Sequence, residues 1–313
     1  MNTITFDNVI ESEHVKRIEN IVTPLTPYVI CNHFVSTEVH DSEMKDIDCP
    51  LELSANDLRK NQNYQDIKHL DIIQVQVDLF DFFYDEILPV IAEKKIQVIV
   101  LTSQWRLPQM QQSEKTDKLL DHDTILLWIS QNPIPNYTHH KKYMPFPYGI
   151  HHEKINEYID FVKSYDTHPQ DKTIKILNQF SSVHNHLPGN HIRRMYGTFG
   201  VHSGNSLNYT DYLTNISNAE FVISTSGDRD DCYRHYECIG LNAIPVSNIA
   251  DGYKGIFEEN MVYSHAEEML NSVNTQMVNY EYKKPNRDVL TVSHWVNKIN
   301  ERIQCLVSWK RES

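Results

Sequence analysis

The sequence has no apolar run long enough to cross a bilayer, and its first residues do not form a signal peptide. A membrane-spanning helix needs about 20 consecutive apolar residues, whereas the longest apolar stretches, such as 96–101, have the length of a strand. The N-terminus, MNTITFDNVIESEHVKRIEN, lacks a basic segment followed by an apolar one. We therefore expect a cytoplasmic protein without a transmembrane segment.

Cysteine and positive charge are both scarce. The five cysteines are scattered without a Cys-x-x-Cys pair, which argues against a zinc module and favours free thiols. The 29 lysines and arginines are outnumbered by 42 acidic residues, for a formal net charge of −13. Such a chain lacks the basic face that binds DNA phosphates, so we expect no nucleic-acid partner. A small diphosphate remains compatible, because a few arginines suffice to hold one.

Histidine is abundant, with 17 residues. His184, His186 and His191 lie close in sequence, and a His-x-His pair can chelate a metal. No carboxylate pair or cysteine pattern accompanies them. The acidic run at 228–231 lies at a predicted helix start, where it is interpreted as capping. The sequence therefore predicts no metal and no other cofactor.

The hydrophobic pattern of the first half predicts a parallel sheet with crossover helices. With 313 residues, the chain is long enough for one large domain or two ordinary ones. In some segments apolar residues alternate with polar ones, as in a strand, and in others they recur every three or four positions, as in a helix. This predicts a doubly wound α/β unit, with strands at 28–31, 73–77, 96–102 and 124–130 and helices at 80–91 and 113–120.

The second half repeats this alternation after a proline-rich stretch at 132–150, which we interpret as a linker. Strands are expected at 173–178, 221–225, 243–247 and 261–264, and helices at 155–162, 190–199, 209–216, 230–240, 266–273 and 292–307. We thus predict an N-terminal domain over 1–140 and a C-terminal domain over 141–290. A final helix over 291–313 is expected to pack back on the first domain.

The segment 221–248, FVISTSGDRDDCYRHYECIGLNAIPVSN, carries the strongest chemical signal. A buried strand runs into Ser226, Gly227 and Asp228, residue types that favour turns. A helix then begins, with Asp228 or Asp230 expected as its N-cap. Ligands bind at the carboxyl ends of parallel strands, and a helix N-terminus offers N–H groups to phosphate. This junction is therefore our candidate binding site.

Arg234 and Glu237 lie three residues apart, on one face of the predicted helix. Arginine presents a fork of donors that fits phosphate oxygens. A carboxylate accepts hydrogen bonds from both vicinal hydroxyls of a ribose. One helical face therefore offers complements to both parts of a nucleotide, although an ordinary exposed Arg–Glu pair would show the same spacing.

The same segment resembles the C-terminal signature of exostosin-like glycosyltransferases. That family has F-x-[LI]-[SC]-P-x-G followed by D-[TS]-x-R-x-x-E-A-[LI]-x-x-G-x-[IV]-P-[VI]. The chain departs from it at Thr225, Cys238 and Asn242, where the family usually has proline, alanine and glycine. The match covers about 28 residues, and the N-terminal half has no diagnostic motif. Matching positions are Phe221, Ser224, Gly227, Asp231, Arg234, Glu237, Ile239, Ile244, Pro245 and Val246.

The resemblance implies a GT-B-like fold, in which two doubly wound Rossmann-like domains face a cleft. It implies a glycosyltransferase (hexosyl- or pentosyltransferase) that moves a sugar from a nucleoside-diphosphate donor, preferably UDP, to a carbohydrate acceptor. Inversion of the sugar and independence from metal are also implied. Glu237 would hold the donor ribose and Arg234 would lie near the diphosphate, with Ser226, Gly227, Asp231 and Tyr233 lining the same pocket.

Other positions complete the predicted active site. The helix at 190–199 carries Arg193 and Arg194, and since adjacent residues point about 100° apart, only one is expected to face the donor phosphates. His33 follows the first predicted strand and is our candidate general base, with Asp41 or Glu38 as alternatives. The segment 104–106 follows another strand and is expected to line the acceptor site.

Two further functions fit the same residues. A nucleotide-sugar epimerase or hydrolase of the same fold would share the ribose carboxylate and the phosphate arginines. A non-catalytic nucleotide- or glycan-binding protein would bind the donor without turning it over. The sequence predicts no oligomeric state, and it leaves open the sugar, the acceptor and the nucleobase.

Overall fold

Parallel β-sheets organise both halves of the chain. The computed structural model describes residues 3–36, 64–103, 110–167, 171–178, 207–226, 229–263 and 281–312. Within these ranges the protein is an α/β protein with one five-stranded and one four-stranded parallel sheet. It divides into two units: Val22–Pro147 with Val292–Ser313, and Asn2–Ile21 with Tyr148–Thr291. The residues before Val22 therefore belong to the second unit, a placement that differs from the predicted boundaries.

Strands and helices alternate through most of the described chain. Strands β1 to β9 are His33–Val35, Ile72–Gln76, Val98–Ser103, Ile125–Ser130, Tyr143–Pro145, Ile174–Leu177, Ala219–Ile223, Ile244–Ser247 and Val262–Tyr263. Helices α1 to α11 are Phe6–Glu11, Arg17–Asn20, Thr26–Ile30, Phe80–Phe82, Leu88–Glu93, Glu114–Asp121, Ile155–Thr167, Tyr209–Ser217, Tyr233–Gly240, Lys254–Phe257 and Val292–Glu312. A π-helical turn, Phe83–Ile87, joins α4 to α5 and brings Pro89 into the first turn of α5, where a missing N–H costs little.

The first unit is built on β1 to β5, which lie side by side in sequence order. The central strand β3 and its neighbour β4 are buried along their whole length, as expected for strands covered on both faces. Trp128 stacks on Phe80 with 5.8 Å between ring centroids and meets the edge of Tyr143 at 5.2 Å. Phe146 packs against Trp295 of α11 at 5.8 Å. The predicted buried strands at 96–102 and 124–130 are confirmed.

One prediction about the first unit is wrong, and another is incomplete. The stretch 28–31 is not a strand, because α3 runs through it with Pro27 in its first turn, where the fixed φ of proline favours a helix. The first strand begins instead at His33. The proline-rich stretch interpreted as a linker contains the boundary between the units, after Pro147, but it also contains β5. This edge strand tolerates Pro145 because an edge leaves one row of backbone groups unpaired.

The second unit is built on β6 to β9, also parallel and in sequence order. Its core contains Phe221, Ile223, Ile244 and Val246, which alternate with residues of the other face. The N-terminal segment is attached to this unit by polar contacts: Arg17 pairs with Asp160 of α7 at 2.6 Å, and the Phe6 amide donates to Asp288. Sequence periodicity does not reveal such contacts, because they join residues far apart in the chain.

Within each sheet, the described strands follow one another in sequence order. The reversal of strand order that marks a doubly wound sheet is not found among them. Within the described ranges, no helix is long and apolar enough to cross a membrane. The cysteines that are described, Cys31, Cys232, Cys238 and Cys305, are all free thiols.

Gly240, the last residue of α9, allows this helix to approach α7 closely. A Cβ at this position would lie 1.9 Å from the Tyr158 hydroxyl oxygen. That hydroxyl is held by the backbone carbonyls of Tyr236 at 3.4 Å and Glu237 at 3.1 Å, so it cannot easily move aside. The contact fixes the helix that carries the candidate site.

We predict that Gly240→Ala destabilises the protein by about 1–3 kcal/mol, because the added methyl group overpacks a fixed contact. Urea denaturation measures this change. In the double variant with Tyr158→Phe the nearest atoms are 3.0 Å from the new Cβ, so part of the lost stability should return. Gly255→Ala, on the exposed side of α10, is the control and should be neutral or slightly stabilising. A neutral Gly240→Ala would contradict the prediction.

Candidate functional site

The candidate site lies where β7 ends and α9 begins. Ser224, Thr225 and Ser226 follow the strand and are all buried. The chain then reaches Cys232, the N-cap of α9, which has extended backbone angles. This turn is at the carboxyl edge of the four-stranded sheet, where parallel α/β proteins bind ligands.

Among the described residues no side chain caps the N-terminus of α9, and Asp230, one of the two predicted caps, does not occupy the cap position. Asp230 does not cap the helix; its carboxylate accepts a hydrogen bond from the Ser226 hydroxyl at 3.0 Å. Asp228 lies outside the described residues. The cap position belongs to Cys232, whose thiol makes no capping bond. First-turn N–H groups and the positive end of the helix dipole are therefore suited to an anion.

Asp231 ties the start of the second unit to α9. Only 3% of it is exposed, and its carboxylate accepts hydrogen bonds from the Tyr148 amide at 3.0 Å and from the Tyr236 hydroxyl. Burial raises its pKa from 3.8 to about 6, although the neighbouring His235 opposes the shift. Predicted as a pocket-lining residue, Asp231 holds the backbone of the site together.

His235 organises the turn from within. Its ring is fully buried, with Nδ1 2.7 Å from the Ser224 hydroxyl and Nε2 3.1 Å from the Asp230 carbonyl oxygen. The Cys232 sulfur lies 3.6 Å from Nε2. These contacts link the end of β7, the turn and the first turn of α9, so the helix N-terminus is fixed before any ligand binds.

An aromatic and cationic cluster flanks the turn. The Arg229 guanidinium lies 4.5 Å from the centre of the Tyr148 ring, which stacks on Tyr233 at 5.2 Å. His151 packs on the same Tyr233 ring at 4.6 Å. The sequence predicts only a capping role for the run at 228–231, which contains Arg229. Arg229 is nevertheless buried, with only 7% of the residue exposed.

Glu237 is buried and bound by two tyrosines. Only 4% of the residue is exposed. The Tyr209 hydroxyl donates to Oε1 at 2.7 Å, and the Tyr212 hydroxyl donates to Oε2 at 2.6 Å. Arg234 donates from Nε to the Tyr212 oxygen at 3.2 Å. These contacts are not those of an exposed Arg–Glu pair, so this alternative is excluded.

The ionisation of this cluster is set by burial. Burial raises the pKa of Glu237, whereas the bonds from Tyr212 and Tyr209 and the charge of Arg234 oppose the rise. Burial and the nearby carboxylate raise the pKa of both tyrosines, which therefore remain protonated donors. We did not predict these tyrosines as site residues. The only sequence signal was their i, i+3 spacing on the predicted helix at 209–216.

The departures from the exostosin-like pattern do not disturb this geometry. Thr225 and Cys238 are buried, with 2% and 0% of each exposed. Asn242 has a φ of 55°, in the left-handed region that glycine favours and asparagine tolerates best among the other residues. The replacements therefore affect core packing or backbone conformation. None of them removes a group from the face of α9 that carries Arg234 and Glu237.

His33, the predicted general base, does not lie at the carboxyl edge of its strand. His33 is the first residue of β1, at the amino end of the strand, and its Nε2 lies 2.8 Å from the Asp71 carboxylate. The reason for choosing it, a position just after the first strand, is therefore lost. Asp41, Arg193, Arg194 and Gly227 lie outside the described residues, as does the segment 104–106.

The carboxyl edge of the five-stranded sheet instead carries buried, uncharged side chains. Ser36 follows β1, and Gln76, Ser103 and Ser130 end the next three strands, with no more than 3% of any of them exposed. The Ser36 hydroxyl donates to Gln76 at 3.2 Å. Within the described ranges, the Oε1 atoms of Gln74 and Gln131 and Nδ2 of Asn132 have no hydrogen-bond partner. Such groups suit a hydroxyl-rich ligand.

Comparisons with known proteins do not identify the chain. No family model matches it, and no curated protein matches it. The fold and site define a parallel α/β protein with an uncapped helix N-terminus beside a buried carboxylate. No group of three histidine, cysteine or acidic side chains in the described part could hold a metal ion. Function must therefore be argued from the chemistry of the site.

We predict that Asp231 makes stability fall with rising pH. A raised pKa in the folded protein means that its contribution is complete below pH 3.8 and is lost as the pH rises past about 6. The shift corresponds to about 3 kcal/mol. The difference in unfolding free energy between wild type and Asp231→Asn should therefore decrease by about this amount between about pH 4 and pH 7.

Urea denaturation of both proteins across this pH range measures the difference. Asparagine preserves the acceptor for Tyr148 and Tyr236 but does not titrate, so contributions from other groups cancel. A difference that stays constant with pH would contradict the assignment of the raised pKa to Asp231.

Proposed function

We propose that the protein is a glycosyltransferase that binds a nucleoside-diphosphate sugar, preferably a UDP-sugar, at the β7–α9 junction. The sugar would be transferred to a hydroxyl of a carbohydrate acceptor, with inversion and without a metal. A GT-B-like arrangement of two Rossmann-like domains is part of this proposal. It is supported by the resemblance of residues 221–246 and by the chemistry of the junction.

One observation carries the proposal: a buried carboxylate and an uncapped N-terminus lie on the same short helix. Glu237 is four residues beyond Tyr233, the first residue of α9. This separation corresponds to a rise of about 6 Å along the helix axis. A nucleoside diphosphate has its ribose diol and its phosphates on opposite sides of a single sugar ring. A nucleoside diphosphate could therefore place its ribose diol at the Glu237 carboxylate and its phosphates at the N-terminus of α9.

The arginines would supply charge for the departing diphosphate. Glycosyl transfer leaves negative charge on the phosphate oxygen, and preorganised donors lower the barrier to its release. Arg234 lies in the first turn of α9 and donates from Nε to the Tyr212 oxygen. Arg229 lies just before the same turn. Together with the N-terminus of α9, the two arginines can stabilise the negative charge of the departing diphosphate. In a metal-independent enzyme these groups would take the place of a metal ion.

The second substrate would bind in the first unit. Buried serines and amides end its strands, and such uncharged donors and acceptors match the hydroxyl groups of a sugar. A general base is needed to activate the acceptor oxygen. None of the six residues Ser36, Gln76, Ser103, Ser130, Gln131 and Asn132 has a side chain suited to this role. The base would therefore lie elsewhere, and Asp41 and Glu38, the alternatives to His33, both remain predictions.

We predict that a nucleoside diphosphate raises the melting temperature of the wild-type protein and that Glu237→Gln abolishes the rise. A ligand at a hundredfold excess over its Kd adds about 2.7 kcal/mol to the stability of the folded state. Glutamine replaces an acceptor oxygen with a donor and cannot accept both ribose hydroxyls. A thermal-shift screen with UDP, GDP, CDP and their common sugar derivatives measures the effect.

Glu259→Gln is the matched control, because it makes the same chemical change at an exposed position. This variant should respond to nucleotides as wild type does. If no nucleotide shifts the folded wild-type protein, the proposed function is wrong. If the donor binds, measuring its turnover with and without glycan acceptors separates a transferase from a hydrolase or epimerase, and from a protein that only binds.

A further inference from the structure

We propose that Tyr209 and Tyr212 are positioning residues that make Glu237 a receptor for a vicinal diol. The site would thereby select a ribonucleotide over its 2′-deoxy counterpart. This inference rests on the proposed function and goes beyond it, because it concerns two residues outside the exostosin-like segment and assigns them the choice of sugar in the nucleotide.

The geometry leaves two acceptor positions on the carboxylate. Each oxygen of Glu237 accepts one tyrosine hydroxyl, at 2.7 Å from Tyr209 and 2.6 Å from Tyr212. A carboxylate has about four lone-pair positions, so one remains on each oxygen. Two hydroxyls on adjacent carbons can donate to these two positions together. A 2′-deoxyribose has only one such hydroxyl and would leave one acceptor unpaired.

The tyrosines also fix the direction of the carboxylate. They lie one turn apart on α8, with their rings stacked at 5.9 Å and inclined by 23°. Both hydroxyls converge on the same carboxylate from this one helix face. A side chain held in one orientation loses little entropy when its ligand binds, so its hydrogen bonds contribute more to affinity. The stacked rings thus act as a rigid support for Glu237.

The same bonds favour the ionised form of Glu237. Burial raises the pKa of Glu237, and the two tyrosines and Arg234 oppose this shift. Arg234, on α9, donates to the Tyr212 oxygen. This bond polarises the Tyr212 hydroxyl and so strengthens its hydrogen bond to the Glu237 carboxylate. From α7, the Tyr158 hydroxyl donates to the Glu237 carbonyl oxygen at 3.1 Å. The Lys154 ammonium lies 5.5 Å from the centre of the Tyr209 ring. Removing either tyrosine bond should therefore raise the pKa of Glu237 further.

The test is to measure Kd by calorimetry for UDP and 2′-deoxy-UDP, and for GDP and 2′-deoxy-GDP. Wild type should bind the ribonucleotide at least about tenfold more tightly than the deoxynucleotide. Tyr209→Phe and Tyr212→Phe should each weaken ribonucleotide binding by about tenfold. They should change deoxynucleotide binding much less, so the discrimination becomes smaller. Tyr165→Phe, elsewhere in the second unit, should leave both affinities unchanged.

The pH profile separates a positioning role from a merely structural one. Diol binding needs an ionised Glu237, so affinity should fall as the pH falls through the pKa of this residue. In both phenylalanine variants the pKa is higher, and the fall should begin at a higher pH than in wild type. A general loosening of the fold would lower affinity without moving this profile.

The outcomes distinguish this inference from the proposed function. If wild type binds UDP or GDP but binds the deoxy form equally well, the diol receptor is overturned while nucleotide binding stands; this comparison needs no variant. Unchanged discrimination and an unchanged pH profile in both phenylalanine variants would also overturn the role of the tyrosines. If wild type binds no nucleotide, both proposals fail together.

Discussion

The burial of one carboxylate, Glu237, is the constraint on which the rest of the candidate site depends. A buried charge is costly unless hydrogen bonds compensate it. Tyr209 and Tyr212 supply these bonds, which requires α8 and α9 to lie side by side. Gly240 then permits α9 to approach α7, and His235 ties the first turn of α9 to the end of β7. Burying such a cluster lowers the stability of the folded protein. Binding of a ligand to the remaining acceptor positions of the carboxylate would explain why the protein has it.

The larger part of the fold could be predicted from hydrophobic periodicity. Buried parallel strands and amphipathic helices have patterns that depend only on nearby residues, and those predictions are confirmed for most described elements. The failures occurred where a local pattern was ambiguous or a distant contact decided the outcome. The residues at 28–31 have strand propensity, but Pro27 starts a helix there. The attachment of the N-terminal segment to the second unit depends on Arg17 and Asp160, which are far apart in sequence.

Within the site, the sequence indicated the helix and its two chemically active residues but not their surroundings. Arg234 and Glu237 were selected by spacing and by a family resemblance that no comparison tests. The tyrosines that surround Glu237 come from another helix, so only tertiary structure reveals them. The cap was misassigned because Asp230 is a good capping residue by type, yet it bonds to Ser226 instead. Local propensity indicates which backbone position a residue favours, whereas the hydrogen bonds in the site depend on the residues that tertiary structure brings next to it.

The central claim, that a nucleoside diphosphate binds at the β7–α9 junction, is tested most directly by amide hydrogen exchange with and without UDP. Exchange reports on individual stretches of backbone and therefore locates a ligand as well as detecting it. We predict slower exchange in the presence of UDP at the first-turn amides of α9 and in the preceding turn at 229–232. The amides of the five-stranded sheet should remain unchanged. Saturating nucleotide that leaves the first turn of α9 unprotected, or protects only a different region, would contradict the account.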